Sequence, residues 1–369
     1  MKVVFDHLTK TFKTNRKGTG PGVTAVNDFC FEIPDGKLVG LLGPSGCGKS
    51  TTLNLICGLE TQTSGKIYFG DEDVSELPPE NRGVGMVFQN YALYPHLTVK
   101  ENITFPLENL KGDKRLSKEE MNKKAFEIAK LVQIEELMDR KPKQLSGGQQ
   151  QRVAIARSLV KMPNVLLLDE PLSNLDARLR LQTREQIRRI QVETGITTIF
   201  VTHDQEEAMS ISDLIIVMKD GVIQQIGKPQ EVYENPNNLF VAKFLGTPAI
   251  NVFNGVIKDS KIYIGKDVIG NTKLADQEVY VAIRPEGFII DDKGKFECDF
   301  DRLEVMGRDH SIVCHNAECI SDIDIRVIVD SEANVDTKAK TIKFNVKPTK
   351  MYVFSKDKEE RIQWLEKRT

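Results

Sequence analysis

No apolar run in this chain approaches the roughly 20 residues needed to span a bilayer, so work at a membrane is expected only through a partner. The N-terminal stretch Met1–Asp6 reads as a strand and shows no signal-peptide h-region. An excess of one charge is also missing. The formal net charge is −2, which supplies no basic field for nucleic acid or for an anionic membrane surface. Cysteine is sparse and scattered, at Cys30, Cys47, Cys57, Cys298, Cys314 and Cys319. A chain this long needs no disulfide framework, so reduced thiols in a cytoplasmic setting are expected. There is no repeat at solenoid period. What is present is ordinary for a soluble globular protein, with 40% hydrophobic and 28% charged residues, and 369 residues make two domains the expectation.

The most informative stretch is Gly43-Pro44-Ser45-Gly46-Cys47-Gly48-Lys49-Ser50-Thr51. It fits G-x-x-x-x-G-K-[ST], the loop that cradles phosphates. The apolar run Leu38–Leu42 leads in as a buried strand, and Leu53, Ile56 and Leu59 lead out at helical spacing. The glycines let backbone N–H groups turn onto phosphate oxygens beside a helix N-terminus that favours anions. Lys49 is expected to reach the β- and γ-phosphates, and the Ser50 hydroxyl to bind Mg²⁺. Cys47 sits in the loop without a catalytic task; alkylating it is expected to block ATP, and ATP to protect it.

Along the chain, residues 2–12 alternate as an edge strand would, and Thr14–Gly22 is a polar loop. Short apolar strands at Gly85–Phe88, Val165–Leu168 and Thr197–Thr202 end at Gln89, Asp169-Glu170 and His203. Residues 98–140 are helical and polar, with a capping box at Ser117–Glu120 and no sustained heptads. Asp220-Gly221 joins two strands as a hairpin. Strands alternating with helices imply a mostly parallel sheet with chemistry at the strand carboxyl ends. Beyond about residue 240 short alternating strands replace the helices, as in a small barrel or sandwich. The tail Lys356–Lys367, with Trp364, is compatible with a short helix. His310, Cys314, His315 and Cys319 have metal-donor side chains but read as alternating strand residues.

The motif order resembles an ABC-transporter ATPase over residues 1 to about 240: the phosphate loop, Gln89, Leu145-Ser146-Gly147-Gly148-Gln149, Asp169-Glu170, Ser173-Asn174-Leu175-Asp176 and His203. Phe88–His96, Phe240–Gly246 and Arg284-Pro285-Glu286 look like the carbohydrate-importer group typified by the maltose importer ATPase. The resemblance implies an α/β P-loop ATPase domain over 1–240, with a helical subdomain at about 90–160, and an all-β OB-like regulatory domain over 241–369.

The resemblance also implies roles. Asp169 would hold Mg²⁺, joined by Ser50 and Gln89, and Glu170 would orient or deprotonate the attacking water. His203 would donate to the γ-phosphate. Phe12 would stack on adenine, although the loop after it is longer than usual for the group. Ser146, Gly147, Gly148 and Gln149, with Asp176, would close on the ATP held by a second copy in a head-to-tail homodimer. Tyr91, Leu93 and Tyr94 are core, docking surface or both. The implied setting is the cytoplasmic face of a membrane, with two permease subunits and an extracytoplasmic solute-binding protein as partners and no nucleic acid. The implied cargo is a sugar or oligosaccharide, with glycerol phosphate or a polyamine as alternatives. A non-transport ABC ATPase acting in nucleic-acid maintenance is the rival class.

Overall fold

Leu38–Leu42 is buried at every position, as an unbroken apolar run requires, and forms β3 of a parallel sheet. The computed structural model describes residues 1–13, 22–110, 112, 115–321 and 324–364. The loop at Thr14–Gly22 therefore lies, apart from Gly22, outside the described residues.

The chain divides into two units, Met1–Pro229 and Gln230–Thr369. In order, the first contains β1 (Val3–Phe12), β2 (Val23–Ile33), β3, α1 (Lys49–Cys57), β4 (Ser64–Phe69), β5 (Glu72–Asp73) and β6 (Val84–Val87). There follow α2 (Val99–Glu108), α3 (Lys118–Leu131), α4 (Gly147–Leu159), β7 (Val165–Asp169), α5 (Ala177–Thr194), β8 (Thr197–Thr202), α6 (Gln205–Ile211), β9 (Leu214–Lys219) and β10 (Val222–Gly227).

The larger sheet runs β10-β9-β3-β8-β7-β6, parallel except for the β9–β10 hairpin at its edge. β3, β8 and β7 are therefore adjacent. Their carboxyl ends, carrying Gly43, His203 and Asp169-Glu170, emerge side by side, where parallel sheets bind ligands. A smaller antiparallel sheet runs β2-β1-β4-β5. β1 pairs with β2 on one side and β4 on the other, so it is an interior strand and not the edge strand expected from its alternation. Alternation reports one buried face and not the number of neighbours, and an interior antiparallel strand with one wet face carries the same pattern. Phe5, Phe29 and Ile67 of this sheet share one core with Leu41, Val201 and Met218 of the parallel sheet and with Leu53 and Ile56 of α1. The helical stretch within 90–160 is organised by capping boxes at Thr98/Glu101, Ser117/Glu120 and Ser146/Gln149.

The second unit takes in α8 (Leu239–Phe244) and nearly all of α7 (Pro229–Glu234), so the division falls ahead of the boundary read at 240. Arg284 explains why. Its buried guanidinium donates to the Tyr233 carbonyl at 2.8 Å, the Ala242 carbonyl at 3.0 Å and the Leu245 carbonyl, and stacks 3.9 Å from the Tyr233 ring centroid. Among the described residues the rest of the unit is β apart from short 3-10 turns at Pro285–Gly287 and Pro348–Lys350, and β11–β21 follow in chain order: Asn251–Lys258, Lys261–Ile264, Asp267–Asn271, Gln277–Ile283, Phe288–Ile290, Phe296–Met306, Asp309–His315, Ile325–Asp330, Thr341–Val346, Met351–Ser355 and Arg361–Ile362. They form two antiparallel sheets, β13-β12-β11-β14-β20-β21 and β15-β19-β16-β17-β18, in a barrel-like arrangement. Phe253, Phe296 and Phe344 fill the space between them. The tail is not a helix as far as it is described. Arg361–Ile362 pairs with β20, and Trp364 donates to the Met351 carbonyl at 3.1 Å. Ile362 and Trp364, two residues apart, both pack on the core, which is strand spacing. β17 does not alternate as expected: Ser311, Ile312, Val313 and Cys314 are all buried, because the strand is covered on both faces, and only His315 is exposed. All six cysteines are free. Cys314 hydrogen-bonds the Cys298 thiol, which together with burial pushes Cys298 far above the usual thiol range.

Candidate active site

The phosphate loop is held open by backbone that only glycine tolerates. Gly48, the cap of α1, has φ 104°, and a Cβ there would lie 2.0 Å from the Ala25 carbonyl oxygen. Gly46 also has positive φ, 81°, but faces open space. Lys49, almost wholly buried, donates to the carbonyls of Gly43 at 2.7 Å and Pro44 at 2.9 Å. Its ammonium is thus pinned across the loop, at the place where phosphate oxygens would take over from the carbonyls. Cys47 is 2% exposed, and burial pushes its thiol up despite the neighbouring Lys49. Burial therefore opposes the ready alkylation expected for this thiol.

Beside the loop, the Ser50 hydroxyl donates to Asp169 Oδ1 at 3.4 Å. Burial and the adjacent Glu170 charge push the Asp169 carboxyl up, opposed by Ser50 and Lys49. Glu170 follows the end of β7 in the left-handed region, φ 44°, a strained backbone for a non-glycine residue. Its N–H donates to the Val201 carbonyl on β8 at 3.1 Å, so the strained turn is tied to the neighbouring strand. The turn aims the carboxylate at two partners. Gln89 Nε2 donates to Oε2 at 3.0 Å, and His203 Nδ1 lies 3.5 Å from Oε1. With its amide nitrogen on Glu170, Gln89 has its oxygen as the atom that a cation would take. Ser50, Asp169 and Gln89 thus offer a hydroxyl, a carboxylate and an amide, the hard oxygen donors that Mg²⁺ takes.

Ser146 and Asp176 each cap a helix. Gln149 N–H donates to Ser146 Oγ at 3.4 Å, and Leu179 N–H to Asp176 Oδ1 at 2.9 Å. The two starts are neighbours, because a Cβ on Gly147 would lie 3.3 Å from Leu175 and one on Gly148 2.8 Å from Leu179. The structure thus groups the predicted residues into two sets: the phosphate loop with Gln89, Asp169, Glu170 and His203, and Ser146–Gln149 with Asp176. Phe12 is exposed at the end of β1, with Lys10 Nζ 4.7 Å from its ring centroid, so it is not a core residue. Tyr91 is buried, while Tyr94 is half-buried and tilts against Phe105 at 4.6 Å.

Several contacts at the site could not be read from the motifs. Ser173 accepts from Gln89 Nε2 at 3.4 Å, and Asn174 Nδ2 donates to the Gln89 carbonyl at 2.9 Å. Arg157 donates to the Ala92 carbonyl at 2.7 Å and the Tyr91 carbonyl at 2.9 Å, fixing the segment after Gln89 to α4. Next to His203 a cavity of about 40 Å³ is walled by Glu170, Ser173, Arg180, Thr202, Asp204 and Glu207. It is polar and roomy enough for a water. Thr202 donates to the buried Glu207 carboxylate at 2.5 Å, and burial pushes that carboxyl up. Arg157, Arg180, Thr202, Asp204 and Glu207 are ordinary polar residues in sequence and become part of the site through the fold, whereas Ser173 and Asn174 belong to the motif Ser173-Asn174-Leu175-Asp176.

The ABC transporter family model matches residues 26–173. The chain is 44% identical to the Fe(3+) ions import ATP-binding protein FbpC of Fusobacterium nucleatum, covering 87% of this chain and 88% of that protein. It is 41% identical to the sn-glycerol-3-phosphate import ATP-binding protein UgpC of Jannaschia sp., covering 95% and 99%. Against the trehalose/maltose import ATP-binding protein MalK of Thermococcus litoralis the identity is 46%, over 72% and 74%. Among solved structures, a dimeric post-hydrolysis ATP-binding cassette bound to ADP and Pi superposes with a TM-score of 0.54 at 35% identity, covering 62% of this chain and 98% of that one. With the strand-end site and an all-β second unit in place, the chain belongs to the ABC transporter family, as the ATPase subunit of an importer.

Proposed function

We propose that two copies of this chain close head to tail on ATP and drive uptake of a sugar or oligosaccharide through separate permease subunits. The observation that carries the ATPase half of the reading is Glu170, held in a strained turn between Gln89 and His203 and one residue from Asp169. In this reading the loop N–H groups and Lys49 bind the phosphates. Glu170 takes the proton of the attacking water, and His203 orients that water from the other side. Ser50, Asp169 and the Gln89 oxygen are the residues that would hold Mg²⁺, which when bound neutralises charge on the phosphates. Phe12 offers its exposed ring to adenine.

The second half of the site is assigned to Ser146–Gln149 and Asp176 of the other copy. The α4 start at Ser146–Gly148 is a second anion-binding helix start that a single ATP on one chain does not need, and Asp176 at the neighbouring α5 start would sit at the same interface. The dimeric state of the related cassette supports this. Gln89 and the segment Tyr91–Tyr94 transmit closure to the permeases, whose solute arrives on an extracytoplasmic binding protein. The chain works peripherally at the cytoplasmic face; among the described residues no helix is long and apolar enough to cross a membrane.

Sugar cargo is supported by the identity to the trehalose/maltose relative. Glycerol 3-phosphate is the second reading, supported by a relative aligned over 99% of its length. The deciding experiment reconstitutes the chain with its permeases and solute-binding protein in vesicles and measures ATPase stimulation. Stimulation by an oligosaccharide is expected. Stimulation by glycerol 3-phosphate, a polyamine or Fe³⁺ alone would replace the cargo and leave the ATPase assignment standing.

A further inference from the structure

The pairing of β1 with β2 has three register shifts, and the first two bear on its outer face. Phe5 pairs with Phe31 and Leu8 with Phe29, so two residues of β1, Asp6 and His7, stand opposite the single residue Cys30. Leu8 then pairs with Phe29 and Lys10 with Val26, so Asn27 and Asp28 of β2 stand opposite Thr9. Each is a two-against-one bulge, which turns consecutive side chains to the same face and re-aims them. The burial pattern follows. Phe5 and Leu8 are buried, whereas both Asp6 and His7 are exposed, as are Asp28 and Cys30. A regular ladder would have sent Asp6 and His7 to opposite faces.

We propose that Asp6, His7 and Cys30 form a binding site for a first-row divalent metal ion of the zinc type. One donor atom from each, a carboxylate oxygen, an imidazole nitrogen and the thiol sulfur, lies within 4.8 Å of the other two. Oxygen, nitrogen and sulfur together are the donor set of zinc-type ions and not of Mg²⁺ or Ca²⁺. Asp28 Oδ1 lies 2.6 Å from His7 Nδ1. A carboxylate on one ring nitrogen orients the ring and leaves the other nitrogen to ligate, the usual outer support of a metal-bound histidine. Three protein ligands leave a fourth position for water. The site belongs to the outer face of the small sheet, apart from the phosphate loop and its strand ends. Among the described residues one other group of donors comes together, Asp301, His315 and Asp324, and it contains no thiol.

The test uses the full-length chain, free of any affinity tag, stripped with chelator and kept without ATP or Mg²⁺. It is titrated with Co²⁺, which reports a thiolate ligand through a near-ultraviolet charge-transfer band. One equivalent giving that band, displaced by Zn²⁺, is expected. Cys30→Ser should abolish the band while leaving MgATP hydrolysis unchanged, and His7→Gln should weaken Co²⁺ binding. Asp28→Asn should weaken it about 10–100-fold, as loss of an orienting carboxylate does. Zn²⁺ should also slow alkylation of Cys30. A wild-type chain without the band, a band undiminished in Cys30→Ser, or equal affinity in His7→Gln would overturn the proposal. The side chains are exposed, so these variants test ligation without removing core.

Discussion

Glu170 is the residue on which the proposed hydrolysis turns. Its positive φ is a strained state that the fold sustains because the next strand holds its N–H, and the strain points the carboxylate between Gln89 and His203. Glu170→Gln keeps the shape and removes the proposed base. Steady-state ATP hydrolysis by that variant should fall by about 10²–10⁴-fold while nucleotide binding, measured by fluorescence titration, persists. Gly48 is the other residue without a substitute. An added Cβ meets the Ala25 carbonyl and the residue must keep φ 104°, so Gly48→Ala should lose ATP binding and about 1–3 kcal/mol of stability in denaturant titration. At Cys47 burial opposes the expectation of ready alkylation. Its thiol is buried, so mass-spectrometric mapping after mild alkylation should find Cys30 modified and Cys47 spared, with or without ATP.

At the scale of elements, the phosphate loop depends on what anchors α1 at its far end. Arg82 is buried and donates to the Leu55 carbonyl at 2.7 Å, Ile56 at 3.1 Å, Ser75 at 2.8 Å and Leu77 at 2.7 Å. It therefore satisfies the orphan carbonyls at the helix C-terminus with a cation. Arg82→Met should cost about 2–3 kcal/mol in denaturant titration, because it strands several buried carbonyls. α5 is pinned in a comparable way. Arg188 makes paired bonds of 2.8 and 2.9 Å to Asp213, which also accepts from the Leu38 N–H at the start of β3. Burial pushes the Asp213 carboxyl up, but Arg188 and Leu38 outweigh it and hold the carboxyl below its usual range. A lowered folded-state pKa stabilises above the unfolded value and is lost as pH falls through the folded one. Asp213→Asn should thus be about 1 kcal/mol less stable at neutral pH, a small value because the pair is partly solvated, with the gap closing below about pH 4. Motifs announced the site because Lys49, Asp169, Glu170 and His203 sit at ends of strands that apolar runs define. Arg82, Arg157 and Arg188 were not legible, since a surface arginine and a buried helix cap have the same letter. The interior place of β1 and the strand at Arg361–Ile362 were not legible either, because both depend on neighbours brought from distant sequence.

For the whole molecule the central claim is that one chain holds half an ATP site. The phosphate loop and Glu170 form one set, Ser146–Gln149 and Asp176 another, and in the proposed dimer each set meets the other's counterpart. Closure on ATP then becomes motion that permeases can use. The second unit, with Arg284 locking α8 to its β structure, folds around its own core. Ultracentrifugation of the Glu170→Gln chain with and without MgATP tests the claim most directly. Monomers are expected without nucleotide, dimers with it, and no dimers when Ser146→Arg is added to block the second anion surface. A chain that stays monomeric with bound ATP, or dimers indifferent to both ATP and Ser146→Arg, would contradict it.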